Sequence, residues 1–362
     1  MMKYILLMVL FASLFFSMCC KDEPTQPPPD GNDTVSRRDY VFTIDTLAYP
    51  DSPQTYLMSI WGSSPKDVWA VGHNPNGFAN IYHYDGTRWT QITAFPPLPF
   101  GVSYRCVTGF GPNDVYLVGL KEYWKTGPNG EPVYSDSSLV VHYDGVSWQV
   151  MDTPPGGDGL LKIWGSSSQN LWACGYDGTL LRYDGVKWTD QSYDTTQIFV
   201  SIFGFGTGEL YSIGSRYLGL VGLDTATYYF NVYKNGSWIK EDTMVFTNPY
   251  YSYGFGHMGM WGTGSDNLYT IGPRVYKHIG NSWQSQVYSD YLFNDIRGTS
   301  TNNIFAVGDH GLIQHYNGKE WWGIEDYRQT IVRFLSVQPF DKEIFVLGFY
   351  NNQSYVIHGK LK

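Results

Sequence analysis

The chain has 362 residues and a formal net charge of −9, from 24 Lys and Arg against 33 Asp and Glu. It contains no cluster of basic residues. This argues against a nucleic-acid partner, because binding to phosphates depends on clustered Lys and Arg. Aromatic residues are frequent, with 13 Trp, 30 Tyr and 20 Phe, and the length is ample for a large packed core.

The first residues predict an exported lipoprotein. An apolar run over residues 4–18 follows Lys3; it is too short to cross a bilayer as a stable helix but has the length of a signal-peptide core. The run ends at two cysteines, where Phe16-Ser17-Met18-Cys19 resembles the lipobox of bacterial lipoproteins. We therefore expect residues 1–19 to form a lipoprotein signal peptide and either Cys19 or Cys20 to carry the lipid.

Residues 20–38 are predicted to be a disordered tether, because they are rich in Pro, Asp, Asn and Thr and nearly devoid of apolar side chains. Lys21-Asp22-Glu23 resembles the charged signal that sends some Bacteroidetes lipoproteins to the outer face of the outer membrane; the alternative is an ordinary polar linker. We expect the protein to be exported and lipid-anchored at the outer membrane or cell surface, with the lipid as its only membrane attachment.

A repeated phrase organises residues 39–362. Ile60-Trp61-Gly62 is followed by Asp67-Val68-Trp69-Ala70-Val71-Gly72, and the same pattern returns at 163–165 and 170–175. Degenerate copies that keep the spacing between the two glycines occur at 107–119, 202–214, 260–272 and 296–308, and a shorter seventh copy lies at 337–348. Repetition on this scale is typical of solenoids and propellers.

A second phrase follows each of the first six copies. It reads Tyr-Asp-Gly and then Trp, as at Tyr84-Asp85-Gly86 and Trp89, and its weaker forms keep a Gly before the Trp. Asp-Gly or Asn-Gly between β-branched and aromatic residues predicts a hairpin in which both turn residues have positive φ. Each unit therefore predicts four short antiparallel strands, which is the content of a propeller blade.

The last unit ends without a fourth strand, and an unassigned strand pattern precedes the first unit at residues 39–44. This pattern matches the fourth strands elsewhere, such as residues 89–92. We therefore predict an all-β protein over residues 39–362. It is a seven-bladed β-propeller of four-stranded antiparallel blades, closed by the N-terminal strand completing the last blade.

Most tryptophans fall at repeat positions, and only Trp124 and Trp322 do not. Large flat side chains at fixed positions predict stacking of one blade on the next. Cys106 and Cys174 occupy positions that hold Val or Ile in other copies, so we expect two buried thiols without a disulfide.

These phrases, over residues 56–359, resemble a loose class of propeller repeats found in secreted and surface proteins of Bacteroidetes-like and myxobacterial organisms. They are distantly similar to kelch repeats, to Asp-box repeats and to the propellers of photosystem II assembly factors. The resemblance implies the propeller fold. The resemblance indicates almost nothing about the chemistry of the protein, because one fold can carry many functions.

The sequence predicts no cofactor and no metal, since it has no Gly-rich phosphate loop, nucleophile elbow, zinc-type spacing or EF-hand loop. The repeat spreads four histidines around the ring instead of bringing them together: His83, His142, His278 and His315. The Asp-box of sialidases needs a Ser two residues before the Asp, whereas His83 stands two residues before Asp85.

Arginines and carboxylates on and beside the inner strands suggest two further catalytic patterns. A sialidase needs an arginine triad on the inner strands, which here offer Arg105, Arg297 and Arg333, and Arg297 occupies a Trp position of the repeat. Asp295 and Glu122 are conceivable members of a glycosidase carboxylate pair; the alternative is that both are ordinary solvated carboxylates.

Blade geometry selects one face for function. The connections between the second and third strands lie at the same end of a blade as the connections between blades. Four of these connections are long and are expected to lie outside the strands, at 93–103, 120–138, 215–230 and 241–257. We call this end the long-connection face. Its predicted ligand-binding residues are mostly aromatic: Tyr123, Trp124, Tyr134, Arg216, Tyr217, Tyr229, Tyr250, Tyr251 and Tyr253. The alternative is that these loops fold over each other to cover apolar surface.

Three functions follow as hypotheses. The favoured one is a cell-envelope-anchored, non-enzymatic binding module with a glycan or protein ligand on the long-connection face. The second is a polysaccharide-active enzyme, a glycoside hydrolase or lyase, on a propeller scaffold. The third is a structural component of an envelope assembly. Convergent carboxylates at the mouth of the central channel would favour the enzyme, and an aromatic platform without them would favour binding.

Overall fold

Seven four-stranded antiparallel sheets contain the strands of the protein. The computed structural model describes residues 38–47, 53–74, 79–93, 101–206, 208–220, 223–246, 254–328 and 330–362. Each sheet is built from four consecutive strands, except the last, which also uses the first strand of the chain. The predicted seven-bladed β-propeller is therefore confirmed. The predicted signal peptide and tether, with Cys19 and Cys20, lie outside the described residues.

The strands of blades 1 to 4 follow the N-terminal strand β1 (Tyr40–Leu47). Blade 1 contains β2 (Tyr56–Ser64), β3 (Asp67–His73), β4 (Ala79–Tyr84) and β5 (Trp89–Gln91). Blade 2 contains β6 (Val102–Gly111), β7 (Asp114–Thr126), β8 (Pro132–Tyr143) and β9 (Trp148–Val150). Blade 3 contains β10 (Leu160–Ser167), β11 (Asn170–Gly175), β12 (Leu180–Tyr183) and β13 (Trp188–Asp190). Blade 4 contains β14 (Ile198–Gly204), β15 (Leu210–Leu220), β16 (Leu223–Lys234) and β17 (Ser237–Phe246).

Blades 5 to 7 complete the ring. Blade 5 contains β18 (Gly259–Gly262), β19 (Leu268–Ile271), β20 (Arg274–Ile279) and β21 (Ser282–Tyr288). Blade 6 contains β22 (Phe293–Ser300), β23 (Asn303–Gly308), β24 (Ile313–Tyr316) and β25 (Trp321–Gly323). Blade 7 contains β26 (Arg333–Pro339), β27 (Glu343–Tyr350) and β28 (Gln353–Leu361). Short 3-10 turns cover Ser265–Asn267, Asp309–Gly311 and Glu325–Tyr327. The described part of the chain has no helix long and apolar enough to span a membrane.

The N-terminal strand closes the ring, as predicted. β1 pairs antiparallel with β28, from Tyr40 opposite Leu361 to Leu47 opposite Ser354. It is the fourth strand of blade 7, in the order β1-β28-β27-β26. The edge of β28 is therefore covered, and both ends of the described chain are held in one sheet.

The inner-strand Trp-Gly phrase is explained by packing between blades. A Cβ atom on Gly109 of blade 2 would lie 2.6 Å from the ring of Trp61 in blade 1. The same relation holds for Gly204 with Trp164, at 2.9 Å, and for Gly298 with Trp261, at 2.7 Å. The glycine therefore provides the space in which the preceding blade's indole lies, which explains why Trp and Gly recur together.

The Tyr-Asp-Gly turns differ from the prediction. Tyr84 pairs with Trp89, so the loop between them has four residues. Gly86 has φ +92°, whereas Asp85 does not have positive φ. The Asp85 carboxylate accepts hydrogen bonds from the backbone N–H groups of Thr87 (2.8 Å) and Arg88 (2.9 Å). The prediction of two positive-φ residues is therefore wrong for this phrase, because the side chain of Asp organises a longer turn.

Both turn residues have positive φ only in the blade 4 copy, at Asn235 and Gly236. There the two-residue loop connects Lys234 to Ser237, as expected for the predicted hairpin type.

Four histidines on third strands of the blades have structural contacts. His83 Nε2 lies 2.7 Å from Asp67 Oδ1, and its ring stacks on Trp69 with centroids 4.0 Å apart. His142, His315 and His358 repeat the arrangement in their own blades, each stacked on an aromatic residue of the second strand. Each therefore links the second and third strands of its own blade.

Hydrogen bonds also join the inner strands of neighbouring blades. Ser59 Oγ accepts a bond from the Val107 N–H (3.2 Å), and Ser336 Oγ accepts one from the Ile60 N–H (3.3 Å). Both acceptors stand three residues before the repeat position of the inner-strand Gly, just after a register shift in their strand. Cys106 and Cys174 are buried free thiols, as predicted.

Candidate functional site

The predicted loop at 120–138 is a hairpin. β7 and β8 pair without interruption from Val115 opposite Tyr143 to Thr126 opposite Pro132. The inner strand β6 pairs with β7 only as far as Lys121. The hairpin therefore continues past the end of its inner strand, and the expectation that this segment lies outside the strands is wrong. Its residues pair because β7 and β8 both remain extended up to the turn that begins at Gly127-Pro128.

This hairpin carries the most exposed tryptophan of the described residues. Trp124 pairs in register with Tyr134, so the structure brings these two predicted positions together. The Trp124 side chain is 69% exposed and that of the adjacent Tyr123 is 39% exposed. Successive residues of a strand point to opposite faces, so the hairpin presents an aromatic ring on each face.

Blade 4 forms a second long hairpin in place of the predicted loop at 215–230. Arg216 pairs with Thr227 and Tyr217 with Ala226, and β17 extends alongside as far as Phe246. Arg216 is exposed. Tyr229 is half-buried, with the Lys240 ammonium 4.6 Å from its ring centre.

The nine predicted ligand-binding positions therefore divide into groups. Tyr123, Trp124 and Tyr134 share the blade 2 hairpin, and Arg216, Tyr217 and Tyr229 share the blade 4 hairpin, with blade 3 between the two. The remaining predictions, Tyr250, Tyr251 and Tyr253, lie outside the described residues. The hairpins offer two separate surfaces at one end of the ring.

A carboxylate pair at the same end was missed by the sequence analysis. Burial, together with a hydrogen bond between Asp158 and Asp177 and the nearby charge of Asp136, raises the pKa of Asp158 to about 6. The three residues come from a strand, a blade-to-blade connection and a turn, so no sequence motif joins them. A hydrogen bond fixes the connection between blades 2 and 3, because Ser138 Oγ donates to the backbone carbonyl oxygen of Asp158 (2.6 Å).

The other end of the ring contains a cavity in the central channel. Its volume is about 220 Å³, and its walls include the indoles of Trp61, Trp164 and Trp261 from blades 1, 3 and 5. Each of these residues directly precedes the inner-strand Gly, close to the tight turn between the first and second strands of its blade. The cavity therefore opens opposite the long-connection face.

One carboxylate, Asp295, lines this cavity together with Lys162 and Arg297. Asp295 Oδ2 accepts hydrogen bonds from Ser336 Oγ (2.8 Å) and the Val337 N–H (3.0 Å), and lies 3.3 Å from Arg297 Nε. Burial alone would raise the pKa of Asp295, but the two cations and these hydrogen bonds hold it below its ordinary value. Asp295 is therefore ionised near neutral pH.

The carboxylates considered for catalysis do not form a pair. Asp295 lies on the inner strand of blade 6, whereas Glu122 lies on β7, where it pairs with Asp136. The three arginines of the possible triad also lie apart from one another. Arg297 lies near the end of β22, while Arg333 begins β26 and bonds Asp309 (3.1 Å). Arg105 lies against the sulfur of Met58 (3.3 Å). The geometry supports neither the carboxylate pair nor the arginine triad.

A further cavity of about 520 Å³ lies between blades 4 and 5. Its lining combines a phenyl and an indole ring, an imidazole, two carboxylates and an amide: Phe230, Trp283, His278, Glu241, Asp242 and Asn281. Within the described ranges, no group of His, Cys, Asp and Glu side chains is arranged to hold a metal ion.

The chain matches no known protein family profile. It is similar over 86 residues, at 29% identity, to the immune protein Tsi7 of Pseudomonas aeruginosa. The matched segment covers 22% of this chain and 28% of that protein. A similarity of this extent does not assign the chain to a family.

Solved structures show the same fold. A structure of YCF48 bound to D1 peptide has a TM-score of 0.60 at 17% identity, and the match covers 91% of this chain and 97% of that one. YCF48 from Cyanidioschyzon merolae has a TM-score of 0.56 at 14% identity, covering 88% and 98% of the two chains. The WD40 propeller domain of Doa1 has a TM-score of 0.57 at 9% identity, covering 88% and 97%. At these identities the likeness establishes the propeller fold alone.

Proposed function

We propose that this protein is a non-enzymatic binding module of the cell envelope, held to the membrane by a lipid on Cys19 or Cys20. Its ligand in this proposal is a protein that contacts the long-connection face. The observation that carries the proposal is Trp124, a large aromatic side chain that is 69% exposed on a hairpin extending beyond its inner strand.

An exposed tryptophan contributes little to the fold but much to an interface. Burying such a ring against a partner removes a large apolar area from water, and Trp is enriched among the residues that dominate binding energy. Tyr123 stands next to Trp124 on the opposite face of the strand, so a partner could contact aromatic groups on both faces. Because the hairpin is fully paired, little conformational entropy is lost on binding.

A protein ligand fits this surface better than a glycan. Small ligands and sugars are usually bound in concave sites with converging polar groups. Trp124, by contrast, lies on an extended hairpin that continues past the inner strand. A similar propeller, YCF48, has been solved with a bound peptide, which supports peptide recognition as a use of this scaffold.

The enzymatic alternative has less support. Glycosidases place two carboxylates roughly 5 to 9.5 Å apart so that a sugar and a water or nucleophile fit between them. Asp158 and Asp177 instead interact with each other, through the hydrogen bond that helps to raise the pKa of Asp158. Their position at the base of the blade 2 hairpin favours a role in fixing the connection between blades 2 and 3.

Photo-cross-linking in cells tests the proposal. Tyr123→p-benzoylphenylalanine in the full chain should give a discrete adduct with one protein, and the additional change Trp124→Ala should remove it. Ile44 is a matched control position, because it is 56% exposed on the outer strand of blade 7. The proposal fails if Tyr123 gives no adduct or the same adducts as Ile44. A glycan array that binds the full chain without any protein adduct would make the ligand a glycan.

A further inference from the structure

The channel cavity contains a lysine at an inner-strand position where three other blades have a hydrogen-bond acceptor. The position three residues before the repeat Gly, or its Pro counterpart in blade 7, holds a small or uncharged residue in five blades and a charge in two: Ser59, Cys106, Lys162, Ser201, Gly259, Asp295 and Ser336. Ser59, Asp295 and Ser336 each accept a hydrogen bond from a backbone N–H of the next blade. Lysine has donors only and cannot make this bond.

Lys162 also carries a positive charge that its surroundings do not cancel. Its Nζ lies 3.9 Å from Asp295 Oδ1, which is longer than a hydrogen bond. The Asp295 charge is already matched by Arg297, whose Nη1 donates in addition to the Ile60 carbonyl oxygen (2.7 Å). Two cations and one carboxylate line the cavity, so its described lining has one surplus positive charge.

The cavity has room for a chain end. Its volume of about 220 Å³ corresponds to roughly seven waters, which suits one side chain and its backbone. Three indoles form its apolar walls. The charged residue, Lys162, precedes Trp164 by two residues on β10 and so lies deeper in the channel. Because inner-strand residues of all seven blades line the cavity, a ligand enters it along the axis of the ring. The end of a peptide chain can enter in this direction more readily than the middle of a chain. The surplus positive charge selects a carboxylate over an amine.

We propose that the channel mouth binds the C-terminal carboxylate of a peptide chain whose last side chain is apolar. The carboxylate pairs with Lys162 Nζ, and the last side chain packs among Trp61, Trp164 and Trp261. Capture of a terminal carboxylate is an established way for proteins to recognise peptides. This site lies at the opposite end of the ring from the Trp124 hairpin, so it can be present whether or not that hairpin binds a protein.

Fluorescence anisotropy with the full chain tests the site. The probe is fluorescein-labelled Gly-Gly-Ser-Ala-Leu-Phe with a free C-terminal carboxylate, compared with the same peptide as its amide. We expect the amide to bind at least tenfold more weakly. Equal binding of acid and amide, or binding of neither, overturns the proposal. This comparison uses the unaltered protein and does not depend on whether any variant folds.

Two lysine variants locate the contact. Lys162→Met should weaken binding of the free acid at least tenfold and leave the weak binding of the amide unchanged. Lys66→Met is the matched control, since Lys66 is an exposed lysine in the turn after β2 at the same end of the ring. Equal losses in both variants would overturn the assignment to Lys162.

A competitor distinguishes a peptide terminus from a small acid. N-Acetylphenylalanine offers the same carboxylate and ring without the preceding chain. It should need at least tenfold higher concentration than the unlabelled peptide acid to displace the probe. Displacement at the same concentration would overturn the peptide as the ligand and leave a small apolar acid in its place.

Discussion

At the scale of single residues, the inner-strand glycines determine how closely the blades approach each other. Gly109 faces the Trp61 ring and the Asp114 carbonyl oxygen, both 2.6 Å from where a Cβ would stand. Gly111 lies two residues along the same strand, and a Cβ there would meet nothing within 4 Å. The two positions therefore differ in packing although both belong to β6, with Gly111 at its end after a register shift.

Gly109→Ala should destabilise the fold by about 1–3 kcal/mol, because the added methyl group must displace an indole or backbone in a packed interface. Gly111→Ala should change the free energy of unfolding by less than about 0.5 kcal/mol. Denaturant unfolding of both variants measures the difference. Equal stabilities would show that the indole does not depend on the glycine for its space.

Buried histidines should make stability depend on pH. Burial lowers the pKa of His257 to about 4 and, with a contribution from Arg38, that of His315 to about 3, from an ordinary value of 6.5. The unfolded chain therefore binds more protons than the folded one between pH 6.5 and about 3. Their stabilisation is complete above pH 6.5 and is lost as the pH falls, by up to about 1.4 kcal/mol per pH unit for each group.

His315→Gln tests this prediction. The variant should have a shallower decline of the unfolding midpoint between pH 6.5 and 4 than the unaltered protein, whatever its stability at pH 7. A decline of unchanged slope would show that His315 is protonated equally in the folded and unfolded chains.

The sequence identifies some of the functional candidates and not others. Arg297 can be recognised as a charged residue at a Trp position, because the repeat defines what normally stands there. Asp158 and Asp177 cannot, since their contact depends on how a blade connection folds against a turn. The partnership of Lys162 and Asp295 across the channel likewise requires the ring to be closed.

At the scale of elements, closure by β1 was predictable because the last unit lacks a strand and the N-terminal segment supplies one. The hairpins of blades 2 and 4 were predicted as loops. Their sequences contain Gly119 in β7 and Gly214 and Gly219 in β15 and have no strict alternation of polar and apolar residues, so only the paired backbone reveals them.

Deletion of residues 39–47 should destabilise the whole ring. It removes the outer strand of blade 7 and exposes the edge of β28 along eight paired positions. Thermal unfolding of this truncated protein should show a large decrease in midpoint, whereas a truncation that ends before Arg38 keeps β1 and should change it little. An unchanged midpoint after deletion of β1 would contradict closure by this strand.

Trp124→Ala should leave the stability of the ring nearly unchanged, within about 0.5 kcal/mol, because the side chain is mostly exposed. Trp172 is a matched control in the second strand of blade 3, where it is 2% exposed. Trp172→Ala should cost about 3–5 kcal/mol. A large loss of stability in Trp124→Ala would make this residue part of the packing of its hairpin.

At the scale of the whole molecule, the proposed lipid on Cys19 or Cys20 would hold the propeller at the membrane. A Cys19→Ala, Cys20→Ala double variant should leave the membrane fraction, because it removes both cysteines that the proposal assigns to the lipid. Fractionation of cells followed by immunoblotting measures this. Retention of the double variant in the membrane would mean that another attachment exists.

The proposed function requires that the Trp124 hairpin is the surface that binds a protein partner. The most direct test is the Kd of the full chain for the partner identified by cross-linking, measured for the unaltered protein and for Trp124→Ala. Loss of an aromatic contact of this kind is expected to cost roughly 1–3 kcal/mol, which is about fivefold to a hundredfold in Kd. Ile44→Ala should bind as the unaltered protein does. A Kd for Trp124→Ala within twofold of the unaltered value would contradict binding of the partner through the Trp124 hairpin.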